Sequence, residues 1–292
     1  MVAIMMGARM KMLSPILVAP AIALLSLSLP AQERIPDSYL QELATIDRLQ
    51  KLTSTDLAVL ASRAQSGKAE AQYQLALVYG AGRIVPRDEA TSQRLMMKSA
   101  EERYIPAETM IGCAYLDNHI TGPVPNYADA EKWLRAAATQ GDAEAQLWLG
   151  MGYDREYFGR IDYPESLKWL RKSSAQGLPD AQNALAQMYE EGHGVPKSDE
   201  DAAYWYRKAA DHFSDVSGVF QAEVELAYMY RDGRLKKNDV EAYMWFAIVG
   251  AAVDPHTDED VKEVAEEMTP AQIAEAQAKV TIWTQHHPPR PR

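Results

Sequence analysis

The sequence predicts an all-α solenoid of about five antiparallel helix pairs, closed at each end by capping helices. Three observations carry this. An aliphatic residue followed four positions later by tyrosine recurs at Leu75/Tyr79, Ile111/Tyr115, Leu149/Tyr153, Leu185/Tyr189 and Leu226/Tyr230, in steps of 36, 38, 36 and 41 residues. An alanine stands four residues before each aliphatic residue (Ala71, Ala107, Ala145, Ala181, Ala222), and a small residue follows it (Ala76, Gly112, Gly150, Ala186, Ala227). Further along each period, Asp88, Asn126, Asp162, Ser198 and Asn238 precede a second apolar run. All five are strong helix N-cap types.

Taken in chain order, the first element is an export signal over residues 1–31. Arg9 and Lys11 precede an uncharged stretch from Met12 to Leu29, with Ser26, Ser28 and Ala31 near its end. This is the pattern of a secretory signal peptide. Cleavage after Ser28 has small residues at both required places, whereas cleavage after Ala31 puts Leu29 third before the cut. Both remain open, as does an uncleaved anchor. No cysteine follows the run, which argues against a lipoprotein. The chain is therefore expected in a bacterial periplasm or secreted.

Residues 32–66 read as one or two polar capping helices, with Leu57, Leu60 and Ala64 as the covering stripe. The solenoid proper spans 67–253. In the first helix of each pair, offsets of 0, 4, 5 and 8 residues fall on one face, where alanine and glycine admit a close neighbour and tyrosine supplies bulk. In the second helix, four caps have a carboxylate three positions on (Asp129, Glu165, Asp201, Glu241), suited to the positive end of the helix dipole; Thr91 breaks the series. Seven residues after the caps stand Leu95, Trp133, Trp169, Trp205 and Trp245, each followed by another large residue (Met96, Leu134, Leu170, Tyr206, Phe246). Both positions read as core anchors. Gly80, Gly82, Gly192 and Gly194 read as turn glycines between the paired helices.

The motifs A-E-A-Q-x-x-L at 69 to 75, E-G-H-G-V-P at 191 to 196 and A-A-Y-W-Y-R-K-A-A at 202 to 210 resemble Sel-one-like repeats, the SLR branch of the tetratricopeptide superfamily. The resemblance covers about residues 69 to 252. It implies a right-handed superhelix with a concave surface that binds partners, in a family of scaffolds, adaptors and regulators. The second and third repeats depart from the G-x-G-V-P connection, at Asp117 to Pro125 and Asp154 to Ile161.

A C-terminal cap is expected over 254–285. Thr269, Pro270 and Gln272 make a capping box, so a helix should run from 270 to about 284, with Ala271, Ala274, Ala278 and Ile282 facing the last repeat. The acidic run Asp258, Glu259, Asp260, Glu263, Glu266 and Glu267 reads as a solvated face before it. The proline-rich tail 286–292 is expected to lack fixed structure.

The formal charge of −11 opposes binding to nucleic acid, and no membrane insertion beyond the N-terminal segment is expected. The single cysteine, Cys113, excludes an intramolecular disulfide and reads as a buried small residue. The six histidines are scattered, and no metal, nucleotide or nucleophile motif is present, so the expectation is a monomeric protein that is not an enzyme and uses no cofactor or metal.

The candidate partner-binding residues are aromatic side chains off the strict core positions: Tyr204, Tyr206, Tyr228, Tyr243 and Trp148. Phe213 and Phe220 join them. They lie in an insertion, because Ala210 to Ala222 takes twelve residues where the other junctions take seven. Insertions in solenoids map to one face, often the binding face; the alternative is a longer second helix with both rings inward. The leading function is an exported adaptor, scaffold or regulator binding a protein partner. A peptidoglycan or glycan binder or hydrolase is one alternative, and an effector engaging host proteins is another.

Overall fold

The structure is a computed structural model and describes residues 48–49, 51–116, 126–212, 217–252 and 257–287. All of its regular structure is helical among the described residues. The chain divides into two compact units, Met1–Gln176 and Gly177–Arg292.

The first unit contains α1 (Ser54–Gln65), α2 (Ala69–Ala81), α3 (Glu89–Glu101), α4 (Ile105–Leu116), α5 (Tyr127–Thr139), α6 (Ala143–Asp154) and α7 (Tyr163–Ala175). Each helix packs on the next in sequence. The second unit contains α8 (Pro179–Glu191), α9 (Asp199–Ala210), α10 (Ser217–Arg231), α11 (Asp239–Ala252), α12 (Thr257–Glu266) and α13 (Pro270–His286). There α8 to α12 pack in order, and α13 returns onto α11.

The repeat alanines and the aliphatic residues four positions on are buried in both units. The small residue that follows them is a point of close approach. A Cβ built on Gly150 would lie 2.5 Å from Leu170 Cγ, and one on Gly112 would lie 2.6 Å from Leu134 Cγ. Glycine is thus required where the paired helices α4/α5 and α6/α7 touch. All five second-helix caps form as expected: Asp88, Asn126, Asp162, Ser198 and Asn238 each accept from the backbone N–H three residues on. Hydroxyls and amides add ties between helices. Ser99 Oγ donates to the Ala69 carbonyl and Ser173 Oγ to that of Ala143, each at 2.7 Å, while Gln146 Nε2 donates to the Ala138 carbonyl at 3.0 Å.

The structure corrects several details. Of the repeat tyrosines only Tyr153 is buried; Tyr79, Tyr115, Tyr189 and Tyr230 are half-buried at the edge of the core. Among the tryptophans, Trp169 and Trp245 are buried, but Trp133 and Trp205 are half-buried. The position sealed in every second helix is the next one, occupied by Met96, Leu134, Leu170, Tyr206 and Phe246. It lies at the centre of the apolar stripe. The preceding residue is rotated about 100° to the stripe's margin, where lysines lie over the indole rings: Lys132 at 5.0 Å from Trp133 and Lys208 at 5.3 Å from Trp205. Cys113 is half-buried, not buried. Gly80 belongs to α2 rather than to a turn, whereas Gly82, Gly192 and Gly194 do have positive φ.

A paired departure marks the α3–α4 junction. Arg103 holds φ at +65°, the conformation that Gly67 and Gly141 take at the matching junctions of this unit. Such a backbone costs a residue with a Cβ about 1–3 kcal/mol. Nearby, the fully buried Glu108 replaces the glutamine found at the equivalent positions 72 and 146, and Arg103 Nη1 lies 3.2 Å from its carboxylate. The guanidinium and Gln140 Nε2, at 2.6 Å, offset part of the cost of that burial, which still pushes the Glu108 carboxyl above its ordinary value.

At the ends, Thr53 and Thr269 both form complete capping boxes. In α1, Leu60 and Ala64 are buried and Leu57 packs beside them, as expected. The acidic run forms a helix of its own, α12, and α13 reaches His286. The expected stripe of α13 is on the wrong side: Ala271, Ala274 and Ala278 are exposed and Ile282 is 57% exposed. Ala276 is buried instead, flanked by Ile273, Val280 and Trp283 against the core. Both faces obey helical spacing. The bulkier side chains bury more apolar area and set the rotation.

Two outcomes test these contacts. Gly150→Ala should lose about 1–3 kcal/mol of unfolding free energy, because the new methyl meets Leu170. Ala276→Asp should cost more than about 3 kcal/mol by burying an unpaired charge, while Ala278→Asp should stay within about 0.5 kcal/mol. Urea denaturation of the three variants checks both.

Candidate functional site

The structure separates the candidate aromatic residues. Trp148, 7% exposed, and Tyr206, 0% exposed, are core residues, and their assignment as exposed anchors is corrected. Both lie where a neighbouring helix crosses, a contact that offset counting within one repeat does not reveal. The Tyr206 hydroxyl is committed to Glu190. Tyr228 and Tyr243 are half-buried and pack against the second unit's core. In the insertion, Val219 is buried and Phe220 half-buried at the start of α10. At least part of the insertion therefore lengthens the following helix, neither a loop nor the preceding one. Phe213 lies outside the described residues. Tyr204 is exposed as expected, at 50%, with its ring 5.3 Å from that of Trp205 and Lys208 over both.

A more developed surface cluster lies in the first unit. Glu131, on α5, is its centre. Arg135 stands one turn further along the same helix, and its Nη2 donates to Glu131 Oε1 at 3.1 Å. Arg160, from the α6–α7 loop, donates through Nη2 to the same oxygen at 2.9 Å and through Nη1 to Oε2 at 3.3 Å. The Tyr153 hydroxyl also donates to Glu131 and accepts from Arg135. Arg135 reaches across to Glu165 on α7 at 3.3 Å, and Glu165 accepts from Lys168 and Trp169 Nε1, each at 3.0 Å. One turn before Glu131, Tyr127 stacks on Tyr157 at 6.3 Å and 18°.

Electrostatics follow from this geometry. Burial is the largest single influence on Glu131 and opposes its charge, yet donation from Tyr153, Arg160 and Arg135 together outweighs it and holds the carboxyl below its ordinary value. Burial, then the neighbouring Glu131 carboxylate, pushes the Tyr153 hydroxyl well up, so it remains a donor. The side chains of Arg160 and Arg135 stay 51% and 41% exposed. The result is a fixed pair of guanidiniums beside an aromatic stack. Repeat counting missed it because Glu131 and Arg160 sit at positions that do not recur, while Arg135 recurs as Arg171 and Arg207 and so reads as part of the repeat. The available signals were the Glu131/Arg135 spacing of one helical turn and the irregular connection from Asp154 to Ile161.

The second unit has a more acidic counterpart. Arg234 bridges Glu190 and Asp199, each at 2.5 Å. Glu225 is pushed up by burial and then by Glu190. The acidic run of α12 is partly neutralised within this unit: Arg231 lies 3.0 Å from Asp260 and Lys237 lies 2.6 Å from Glu267. Among the described residues no group of three histidine, cysteine, aspartate or glutamate side chains is placed to hold a metal. An open cleft of about 330 Å³ lies beside α13, lined by Met244, Lys279, Ile282, Trp283 and His286 among others.

Helix pairs of this length and capping, stacked through small residues, define a helical repeat protein. The chain matches the Sel1 repeat over residues 69–104, 105–142, 143–178, 179–212 and 221–248, more than half of its length, and it belongs to the Sel1 repeat family. It is similar to a solved Sel1 repeat protein from Oxalobacter formigenes, with 26% identity and a TM-score of 0.59 over 70% of this chain and 79% of that one. It is also similar to a protective antigen of uropathogenic Escherichia coli strains that displays an SLR fold, with 24% identity and a TM-score of 0.50. That match covers 80% of this chain but only 56% of the antigen. None of the curated proteins is significantly similar to the chain.

Glu131 supplies a pH test. Its folded value lies below the ordinary 4.5, so its contribution to stability is present above that pH and lost as pH falls through the folded value. Glu131→Gln should unfold at lower urea than the parent at pH 7, and the gap should narrow at an acid pH below 4.5. An equal gap at both pH values would show that the charge is not what the cluster uses.

Proposed function

We propose that this chain is a non-enzymatic repeat scaffold that binds another protein and acts outside the cytoplasmic membrane as an adaptor or regulator. The observation that carries the reading is the pair of half-exposed guanidiniums, Arg135 and Arg160, hydrogen-bonded to Glu131 beside the Tyr127–Tyr157 stack. Tyrosine and arginine dominate binding energy at protein interfaces, and side chains already fixed before binding lose little freedom on contact. Membership of a family built from stacked helix pairs supports the same reading. Export is supported by the uncharged stretch from Met12 to Leu29 behind Arg9 and Lys11. Among the described residues no helix is long and apolar enough to cross a membrane. Tyr204 and Trp205 favour a second reading, in which the edge-to-face pair of the exposed tyrosine and the half-buried tryptophan takes the apolar face of a wall sugar.

Photo-crosslinking in cells distinguishes the two readings. With a photoreactive benzoyl-phenylalanine at position 157 or 204, the scaffold reading predicts a discrete protein adduct from position 157. Adducts from position 204 alone, consisting of wall glycan, would replace it with the second reading.

A further inference from the structure

We infer that the Tyr127–Arg135–Tyr157–Arg160 surface docks an acidic peptide segment, one that sets a carboxylate on the guanidiniums and an apolar or aromatic side chain on the tyrosine stack. The inference rests on the protein-binding reading above and adds the chemistry of the partner. Charge balance within the cluster is the first argument. Arg135, Arg160 and Lys168 are matched by the carboxylates of Glu131, Glu165 and Asp162, so the cluster is locally neutral in a chain of formal charge −11, with the Arg135 and Arg160 side chains still 41% and 51% exposed. The Tyr153 hydroxyl adds no negative charge, because burial and Glu131 keep it protonated.

Unused donor capacity is the second argument. Arg160 contacts Glu131 and Tyr153 through its two terminal nitrogens, and among the described residues its Nε–H has no acceptor. Glu131 thereby orients the two guanidiniums without exhausting them. Planar guanidiniums held in place are suited to a further carboxylate, whose charge-assisted hydrogen bonds are about twice as strong as neutral ones. A lysine- or arginine-bearing segment would meet like charge on the same atoms.

The third argument is apolar continuity. Tyr127 is 38% exposed and Ile161, next to Arg160, is 50% exposed. With Tyr157 against Tyr127, these give the apolar ground that a purely ionic patch lacks. The overall negative charge does not bar such a partner, since repulsion from charges beyond about 8 Å is screened at physiological salt.

The test uses the full exported chain and two labelled decapeptides, alternating Glu-Tyr and alternating Lys-Tyr. Fluorescence polarisation gives affinity, and amide chemical shifts locate the contact. The Glu-Tyr peptide should bind saturably and shift the amides of residues 127, 135, 157 and 160. Arg160→Gln should weaken it about tenfold with only a small fall in thermal midpoint from the loss of one Glu131 donor, and Arg160→Lys should fall between. Tighter binding of the Lys-Tyr peptide at these residues would overturn the inference. So would Glu-Tyr binding that Arg160→Gln leaves intact, or no saturable binding up to millimolar peptide. If position 157 crosslinks a protein in cells that the Glu-Tyr peptide cannot displace, the scaffold reading stands and the acidic-partner inference falls.

Discussion

The close approach of paired helices through residues with little or no side chain is the constraint on which the rest of each unit depends. Gly112 and Gly150 bring the backbones of α4 and α6 against Leu134 and Leu170 at distances that leave no room for a methyl group. The buried alanines Ala71, Ala107 and Ala145 in the first unit, and Ala181 and Ala222 in the second, hold the same face narrow. With the helices that near, hydroxyls such as Ser99 and Ser173 can reach carbonyls of the partner helix, and the sealed position of the second helix falls into the gap. The half-buried tyrosines are displaced to the rim, where their hydroxyls meet charged side chains, as Tyr230 does with Arg207.

Periodicity made the backbone plan legible in the sequence. The helix pairs, five N-caps and the C-terminal capping box follow from residue types at fixed offsets, because each depends on local geometry. Rotation about a helix axis was less legible. Two faces of α13 obey the same spacing, and only the volumes of Ile273, Val280 and Trp283 against the neighbouring helix decide between them. Trp133 and Trp205 failed as core anchors for a related reason, although Trp169 and Trp245 held: neighbours along the chain differ by about 100° around the axis, and at these two a lysine ammonium lies over the outer ring. Arg103 and Glu108 were illegible singly. They make sense as a pair, a charged side chain at a glycine junction and a carboxylate at a glutamine position.

The proposed functional surface was hidden by the same logic that exposed the fold. Residues that recur are those that hold neighbouring helices, so a repeat pattern directs attention to the core. Trp148 and Tyr206 looked free because they fall between pattern positions, yet adjacent helices bury them. Glu131 and Arg160 occur once each and lie 29 residues apart, while Arg135 recurs as Arg171 and Arg207, so the convergence of both arginines on the Glu131 carboxylate appears only in three dimensions. Individuality concentrated in one irregular connection is how a repeat protein acquires a specific surface without disturbing its stack.

The central claim is that packing and recognition reside in separate residues. An alanine scan across α5, α6 and α7, read in parallel for thermal midpoint and for binding of the proposed protein partner, addresses it most directly. The account predicts two sets that barely overlap: Leu134, Leu149 and Leu170 lower the midpoint strongly, while Tyr157 and Arg160 abolish binding with a far smaller fall in midpoint. Binding that falls only in step with the midpoint, whichever residue is replaced, would contradict it.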